Sequence, residues 1–440
     1  MHRSRFPLLV LVAAVAASCK QGERATATAP PGSGAIPVEV VAQGDGYRLL
    51  RGGEPYDIRG AGVDFGDVAA LAAHGGNSLR TWSTGDGHAS GRALLDEAAR
   101  HGLTVVLCIN IGRERHGFDY GDEQAVAGQL AYARGEVLAF KDHPALLAWM
   151  IGNEPNLFFT NPRVFDAIND ISLMIHEVDG KHPTTTALAG FSGELAGLIE
   201  ARAPDLDFVS IQMYGDIVNL PELIEAIGYQ RPFMVTEWGA IGHWEVQQTA
   251  WGAPIEQNSS EKAGNYLKSY RIAIEPDPGR ILGSYVFLWG QKQERTPTWY
   301  GMFLADGAET ETIDVMHYIW NGEWPDNRSP RIDSALFDSR TAYQNVTVSP
   351  GAEYAAAAVA TDPDGDTLIY HWEVMPESAA TQEGGDREEV PEVLEGLIGN
   401  GNAPSVTVKA PREPGPYRLF VYVHDGHGNA GHANIPFLVE

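Results

Sequence analysis

Cysteine is almost missing from this 440-residue chain, which has 2, and basic residues are scarce beside acidic ones, 31 Lys+Arg against 58 Asp+Glu, for a formal charge of −27. So few thiols exclude a disulfide-built scaffold and a paired-Cys zinc site. So little positive charge, with no Lys/Arg cluster, argues against nucleic acid as a partner. The apolar run Phe6 to Ala17 is too short to remain in a bilayer as a spanning helix. No His-Glu-x-x-His, Walker loop or Gly-x-Ser-x-Gly elbow is present; Gly190-Phe191-Ser192-Gly193 continues with Glu194 instead. Chemistry without a metal or cofactor is what remains. The hydrophobic share of 44%, with 49 Gly and 27 Pro, is that of an ordinary globular protein of two or three domains.

The first 18 residues set basic His2-Arg3-Ser4-Arg5 before the apolar run and small residues, the layout of a secretory signal peptide. Ala16-Ala17-Ser18-Cys19 resembles the lipobox of bacterial lipoproteins, although Ala16 stands where that pattern usually has Leu. The resemblance implies lipidation of Cys19, and Lys20 after it implies anchoring in the bacterial envelope at the outer membrane. Residues 19–44, rich in Ala, Thr, Pro and Gly, then read as a flexible tether. Cys108, inside an apolar run, reads as an inert buried thiol.

From residue 45 a short hairpin with Gly52-Gly53 at its turn leads into eight apolar, β-rich runs, at Ile58–Val63, Ser78–Trp82, Thr104–Ile109, Leu146–Ile151, Thr184–Leu188, Phe208–Met213, Phe233–Val235 and Leu282–Leu288. Amphipathic segments separate most of them. Continuous apolar strands alternating with helices predict a parallel sheet covered on both faces, and eight such units predict a closed (β/α)8 TIM barrel over residues 45–328. An open doubly wound sheet fits less well, because Gly60-Ala61-Gly62-Val63-Asp64-Phe65-Gly66 lacks the spacing of a phosphate loop. Over residues 329–440 the pattern changes to short alternating strands, and Asp362-Pro363-Asp364-Gly365-Asp366 followed by Thr367–Trp372 resembles Ig-like modules of the polycystic-kidney or cadherin-like type. That resemblance implies a small all-β sandwich, serving as a spacer or accessory binding module.

In a barrel of this kind the chemistry gathers where strands end. The fourth run ends Ile151-Gly152-Asn153-Glu154-Pro155 and the seventh Val235-Thr236-Glu237-Trp238-Gly239, so each places a carboxylate just past a buried strand. A pair is the informative feature. Breaking an acetal needs one carboxyl that still holds a proton for the leaving oxygen and another, ionised, facing the oxocarbenium-like carbon. The separation of the pair, which decides between retention and inversion, cannot be read from sequence.

Asn153-Glu154 and Glu237 in these positions resemble the signature of the clan A retaining glycoside hydrolases, with families 2 and 5 the nearest likenesses, over roughly residues 45–325. The resemblance implies that Glu154 is the general acid/base and Glu237 the nucleophile, and that Asn153 bonds the sugar 2-hydroxyl. It also implies that Arg80 fixes and ionises the nucleophile, that Tyr214 touches it, and that Trp289 forms an aromatic floor beneath the sugar. Trp82, Trp244, Trp251 and Trp299 lie in or near loops on the same face and suggest several sugar subsites; Asp64, Asp86, His88, His116 and His243 are weaker candidates. The implied activity is retaining hydrolysis of a β-linked glucan or related polysaccharide by a monomer without metal or cofactor. Transglycosylation through the same Glu pair and non-catalytic carbohydrate binding are the alternatives.

Overall fold

The computed structural model describes residues 34–440 except 65–66, 86–90, 277–278 and 400. The signal segment, Cys19 and most of the expected tether lie outside the described residues, as do Asp86 and His88. Strands β1 (Val38–Gln43), β2 (Gly46–Arg51) and β3 (Glu54–Pro55) form a small antiparallel sheet. After it, β4 (Ile58–Asp64), β5 (Ser78–Arg80), β6 (Thr104–Ile109), β7 (Leu146–Asn153), β8 (Thr184–Ala189), β9 (Val209–Gln212), β10 (Phe233–Glu237) and β11 (Ile281–Gly290) pair in parallel and close on themselves, β11 against β4. The expected barrel is present.

It closes because its strands can be buried on both faces. Every residue of β6 and of β7 is buried. The helices α1 (Val68–Ala73), α2 (Gly91–Arg100), α3 (Glu123–Phe140), α4 (Arg163–Val178), α5 (Gly193–Arg202), α6 (Leu220–Ile227), α7 (Ser259–Ser269) and α8 (Glu311–Asn321) cover the outer face. In α4 the residues Val164, Ile168, Ile171 and Ile175 recur at helical spacing and are buried against the strands. The starts are capped by side chains: Asp67, Asp122 and Ser192 each accept backbone N–H groups of the first turn, and Asn258 and Glu261 form a reciprocal capping box. Helix α8 completes the eighth unit; the last helical segment expected from the sequence, Glu261 to Ile274, lies before β11.

The tether is shorter than its composition implies. Val38–Gln43 is a strand paired along its length with β2, and Val38 and Leu49 are buried with Val106, Cys108, Met150, Met234 and Tyr285 inside the barrel. The small sheet thus stoppers the end where strands begin, and Val38 N–H bonds the Lys181 carbonyl just before β8. Alternating Val and Leu in Val38–Arg51, enough to bury one face, outweigh the low-complexity residues before them.

Beyond α8, strands β12 (Arg331–Phe337), β13 (Val346–Val348), β14 (Glu353–Thr361), β15 (Ile369–Pro376), β16 (Ile398–Gly399), β17 (Ser405–Lys409), β18 (Gly415–His424) and β19 (Ala430–Val439) make two four-stranded sheets, ordered β12-β14-β17-β16 and β13-β19-β18-β15. Phe337, Trp372, Val408, Leu419 and Phe437 fill the space between them. This sandwich is not a loose appendage, for it falls in one compact unit with the barrel. Ile255 from the barrel side enters its core, and Arg418 Nη2 reaches the Pro254 carbonyl at 2.9 Å. Asn434 Nδ2 donates to Glu256, which also accepts from Lys262, Thr296 and Thr298 of the barrel unit.

Leu49→Ala should lower unfolding free energy by about 2–5 kcal/mol, measured by denaturant titration, because it empties a site at the barrel base. A hairpin that lay exposed on the barrel surface would register less than about 0.5 kcal/mol.

Candidate active site

Glu237 is the last residue of β10 and is 4% exposed. Its Oε1 accepts hydrogen bonds from Trp82 Nε1 at 2.9 Å and Gln212 Nε2 at 3.0 Å, and lies 3.1 Å from Arg80 Nη1; its Oε2 accepts from the Tyr214 hydroxyl at 2.6 Å. These donors come from two strand ends, Arg80 and Trp82 at β5 and Gln212 and Tyr214 at β9, and closure of the barrel is what brings β5 and β9 to one carboxylate on β10. Arg80 is fully buried and is held in turn by the Thr236 carbonyl (3.1 Å), by Asn153 Oδ1 (2.8 Å) and by the Trp82 ring, 4.4 Å from the guanidinium carbon. Gln212 Nε2 also donates to Asn153 Oδ1, at 2.8 Å. With two donors fixing its oxygen, the Asn153 amide keeps its N–H groups for a ligand.

Glu154 follows directly, but in a different setting. Gly152 (φ 74°) and Glu154 (φ 51°) both adopt left-handed backbone, and a Cβ at position 152 would lie 2.6 Å from the Ile111 side chain. The turn is held by Glu154 N–H on the Ala187 carbonyl and by Asn156, which bonds both backbone groups of Ala189. Burial first, and then the negative charge of Glu237, push the Glu154 carboxyl up to about 7, against the opposing pull of Arg115, Arg113 and Arg80. Burial and the neighbouring Glu237 also hold the Tyr214 hydroxyl well above its ordinary value, so Tyr214 stays a donor.

Both glutamates line one cavity of about 530 Å3, a size suited to a small ligand. Trp82, Asn153, Gln212, Tyr214, Trp244 and Phe287 contribute to its wall, as do Glu383, Gly384 and Gly385 from the C-terminal sandwich. Trp244 is 58% exposed at the mouth and packs edge-on against Tyr214. A carboxyl that retains its proton near neutrality and a second one satisfied as an acceptor can supply an acid and an anion to the same bound molecule.

The structure brings Arg80, Asn153, Glu154, Tyr214 and Glu237 together, and it removes Trp289. That indole is fully buried, donates to the Asp67 carbonyl at 3.0 Å, and packs on Phe303 and on Trp320 of α8. The unanticipated helix α8 turns the expected floor into core, and Phe287 and Trp82 supply the aromatic surface of the cavity instead. Trp299 is likewise buried, its indole N–H on the Ile241 carbonyl. Gln212 escaped sequence reasoning, although a carboxamide ending the apolar run Val209–Gln212 was a usable signal. Arg113 and Arg115, in the basic stretch after β6, were missed as well.

No family model matches the chain. Mannan endo-1,4-beta-mannosidase 4 of rice (Oryza sativa subsp. japonica) is 25% identical to it over 210 residues, covering 33% of this chain and 45% of that protein. Among solved structures, the Bifidobacterium dentium β-glucuronidase complexed with coumarin-3-O-glucuronide superposes with a TM-score of 0.51 at 18% identity, over 66% of this chain and 50% of that one. Bacteroides uniformis β-glucuronidase 2 superposes with a TM-score of 0.50 at 14% identity, over 92% and 48%. The proteins it resembles are thus glycoside hydrolases by name, and the structural likeness is one of fold. The chain spans about half the length of each of them.

The raised Glu154 carboxyl generates a prediction that does not require activity. Between the ordinary value of 4.5 and about 7 the unfolded chain has released a proton that the native state keeps, so stability falls as pH rises through that window. Relative to wild type, Glu154→Gln should therefore gain stability between about pH 4.5 and pH 7 and hold that gain above it, measured by denaturant unfolding across pH. A difference that stays constant across this range would place the Glu154 carboxyl at its ordinary value.

Proposed function

We propose that this protein is a retaining β-glycosidase that hydrolyses O-glycosidic bonds of a β-linked glucan or related neutral polysaccharide. The observation that carries the reading is the pairing of Glu154, held protonated near neutrality, with Glu237, ringed by four donors, on the wall of one cavity. In this mechanism Glu154 delivers its proton to the leaving oxygen while Glu237 attacks the anomeric carbon, and Glu154 then takes a proton from the water that releases the sugar. Arg80, Gln212, Trp82 and Tyr214 fix the attacking carboxylate in place, and Asn153 donates to a sugar hydroxyl. The similarity to the rice mannosidase supports a β-glycosidic substrate.

Charge favours a neutral sugar over a uronic acid. Asp216, Glu245, Glu294 and Glu383 line the cavity besides the central pair, and of the basic groups there Lys292 is engaged by Glu294 at 2.8 Å and Arg113 faces Asp386 at 3.7 Å. A substrate carboxylate would enter against that excess of negative charge. Anchoring through Cys19, which the N-terminal pattern leads us to propose, would present the cavity to saccharides outside the cell.

On a panel of β-linked oligosaccharides with product sizing by mass spectrometry, Glu237→Gln and Glu154→Gln should each lower kcat by about 10²–10⁴-fold or more. The first-released sugar should carry the substrate's anomeric configuration by NMR. Near wild-type rates in both variants would end the assignment; inversion would end the double-displacement part of it; products longer than the substrate would move the reading to transglycosylation.

A further inference from the structure

Resting on the glycosidase reading, we propose that the segment 377–389 of the C-terminal sandwich is a fixed strap that walls off one side of the catalytic cavity and confines the enzyme to chain ends and short oligosaccharides. The strap leaves the sandwich at the end of β15 and crosses the barrel face from the loop after β11 to the loop after β6. It is fastened at three levels. At its root, Glu377 takes two hydrogen bonds from the buried Arg418, at 3.0 and 2.6 Å. Along its length, Arg295 donates to the Ala380 and Gln382 carbonyls, and its own backbone N–H bonds Glu388 Oε2 at 2.7 Å. At the tip, Arg115 donates to the Glu383 carbonyl (3.2 Å) and the Gly384 carbonyl (3.3 Å), Lys292 to the Gly385 carbonyl (3.2 Å), and Asp386 meets His116 at 2.8 Å.

The tip is shaped for that path. Gly384 (φ 65°) and Gly385 (φ 72°) turn the backbone through left-handed conformations, and a Cβ on Gly384 would collide with the Arg115 guanidinium and come within 2.5 Å of Leu157 Cδ2. On one side of the tip lies the cavity with Glu154 and Glu237; on the other lies a second cavity bounded by Thr81–Thr84, Leu304 and Arg387–Val390. Trp82, Lys292 and Gly385 line both. The strap therefore divides what would otherwise be one continuous groove over the barrel mouth. A long polysaccharide lying through both halves would have to pass where residues 383–386 now stand, so binding is confined to what the catalytic half can hold.

The test uses the full chain, Gly384→Val, and a second variant lacking residues 383–386, on a soluble β-linked polysaccharide and on oligosaccharides of the same linkage. Wild type should shorten the polymer from its ends, leaving its mean length high while small sugars accumulate. In both variants the rate on polymer relative to disaccharide should rise about tenfold, with mid-chain fragments appearing. A wild type that already produces mid-chain fragments, or a polymer-to-disaccharide ratio unchanged in both variants, overturns the strap proposal alone. A wild type that cleaves nothing on the panel overturns the glycosidase reading and the strap with it.

Discussion

A buried cation holds the centre of this molecule together. Arg80 is fully enclosed, and its guanidinium finds Glu237, Asn153 and the Thr236 carbonyl around it, with the Trp82 ring across its face. Removing one partner from such a buried ion pair costs on the order of 3–5 kcal/mol, because the other charge is left without compensation. The arrangement is thus expensive to keep unless the barrel closes with its strand ends in register. Closure sets β5, β7, β9 and β10 around one mouth, and a fold that must satisfy Arg80 also fixes the carboxylate that Arg80 faces.

From that constraint the difference between the two glutamates follows. Glu237 is the last residue of β10 and meets side-chain donors from the ends of β5 and β9, whereas Glu154 lies one residue past β7, in a left-handed turn. Burial beside a second carboxyl then favours its proton-bearing form. One lattice of side chains separates the roles that the proposed acetal cleavage requires.

Much of this was legible in the order of residues, for physical reasons. Parallel strands buried on both faces must be nearly continuous runs of Val, Ile and Leu, so the eight barrel strands stood out. The glutamates stood out because carboxylates at the ends of such runs have few solvating neighbours. Trp289 misled because its burial depends on α8, which follows a long connection after β11. Val38–Gln43 was masked by the low-complexity residues before it. The strap was not legible at all: Arg115 and Glu383 meet across 268 positions, and no local pattern encodes a contact of that separation. The sandwich, expected as a spacer or accessory binding module, is joined to the barrel by the buried Arg418, Asn434 and Glu256 and contributes to the cavity wall.

The central claim is that Glu237 bonds covalently to the substrate's anomeric carbon, and trapping that bond tests it most directly. An activated 2-fluoro glycoside of the accepted sugar, incubated with the protein and followed by peptide mapping, should add the glycosyl mass to the peptide that carries Glu237. Addition at any other residue, or stable turnover of the probe without adduct in a protein that cleaves the parent sugar, would contradict it.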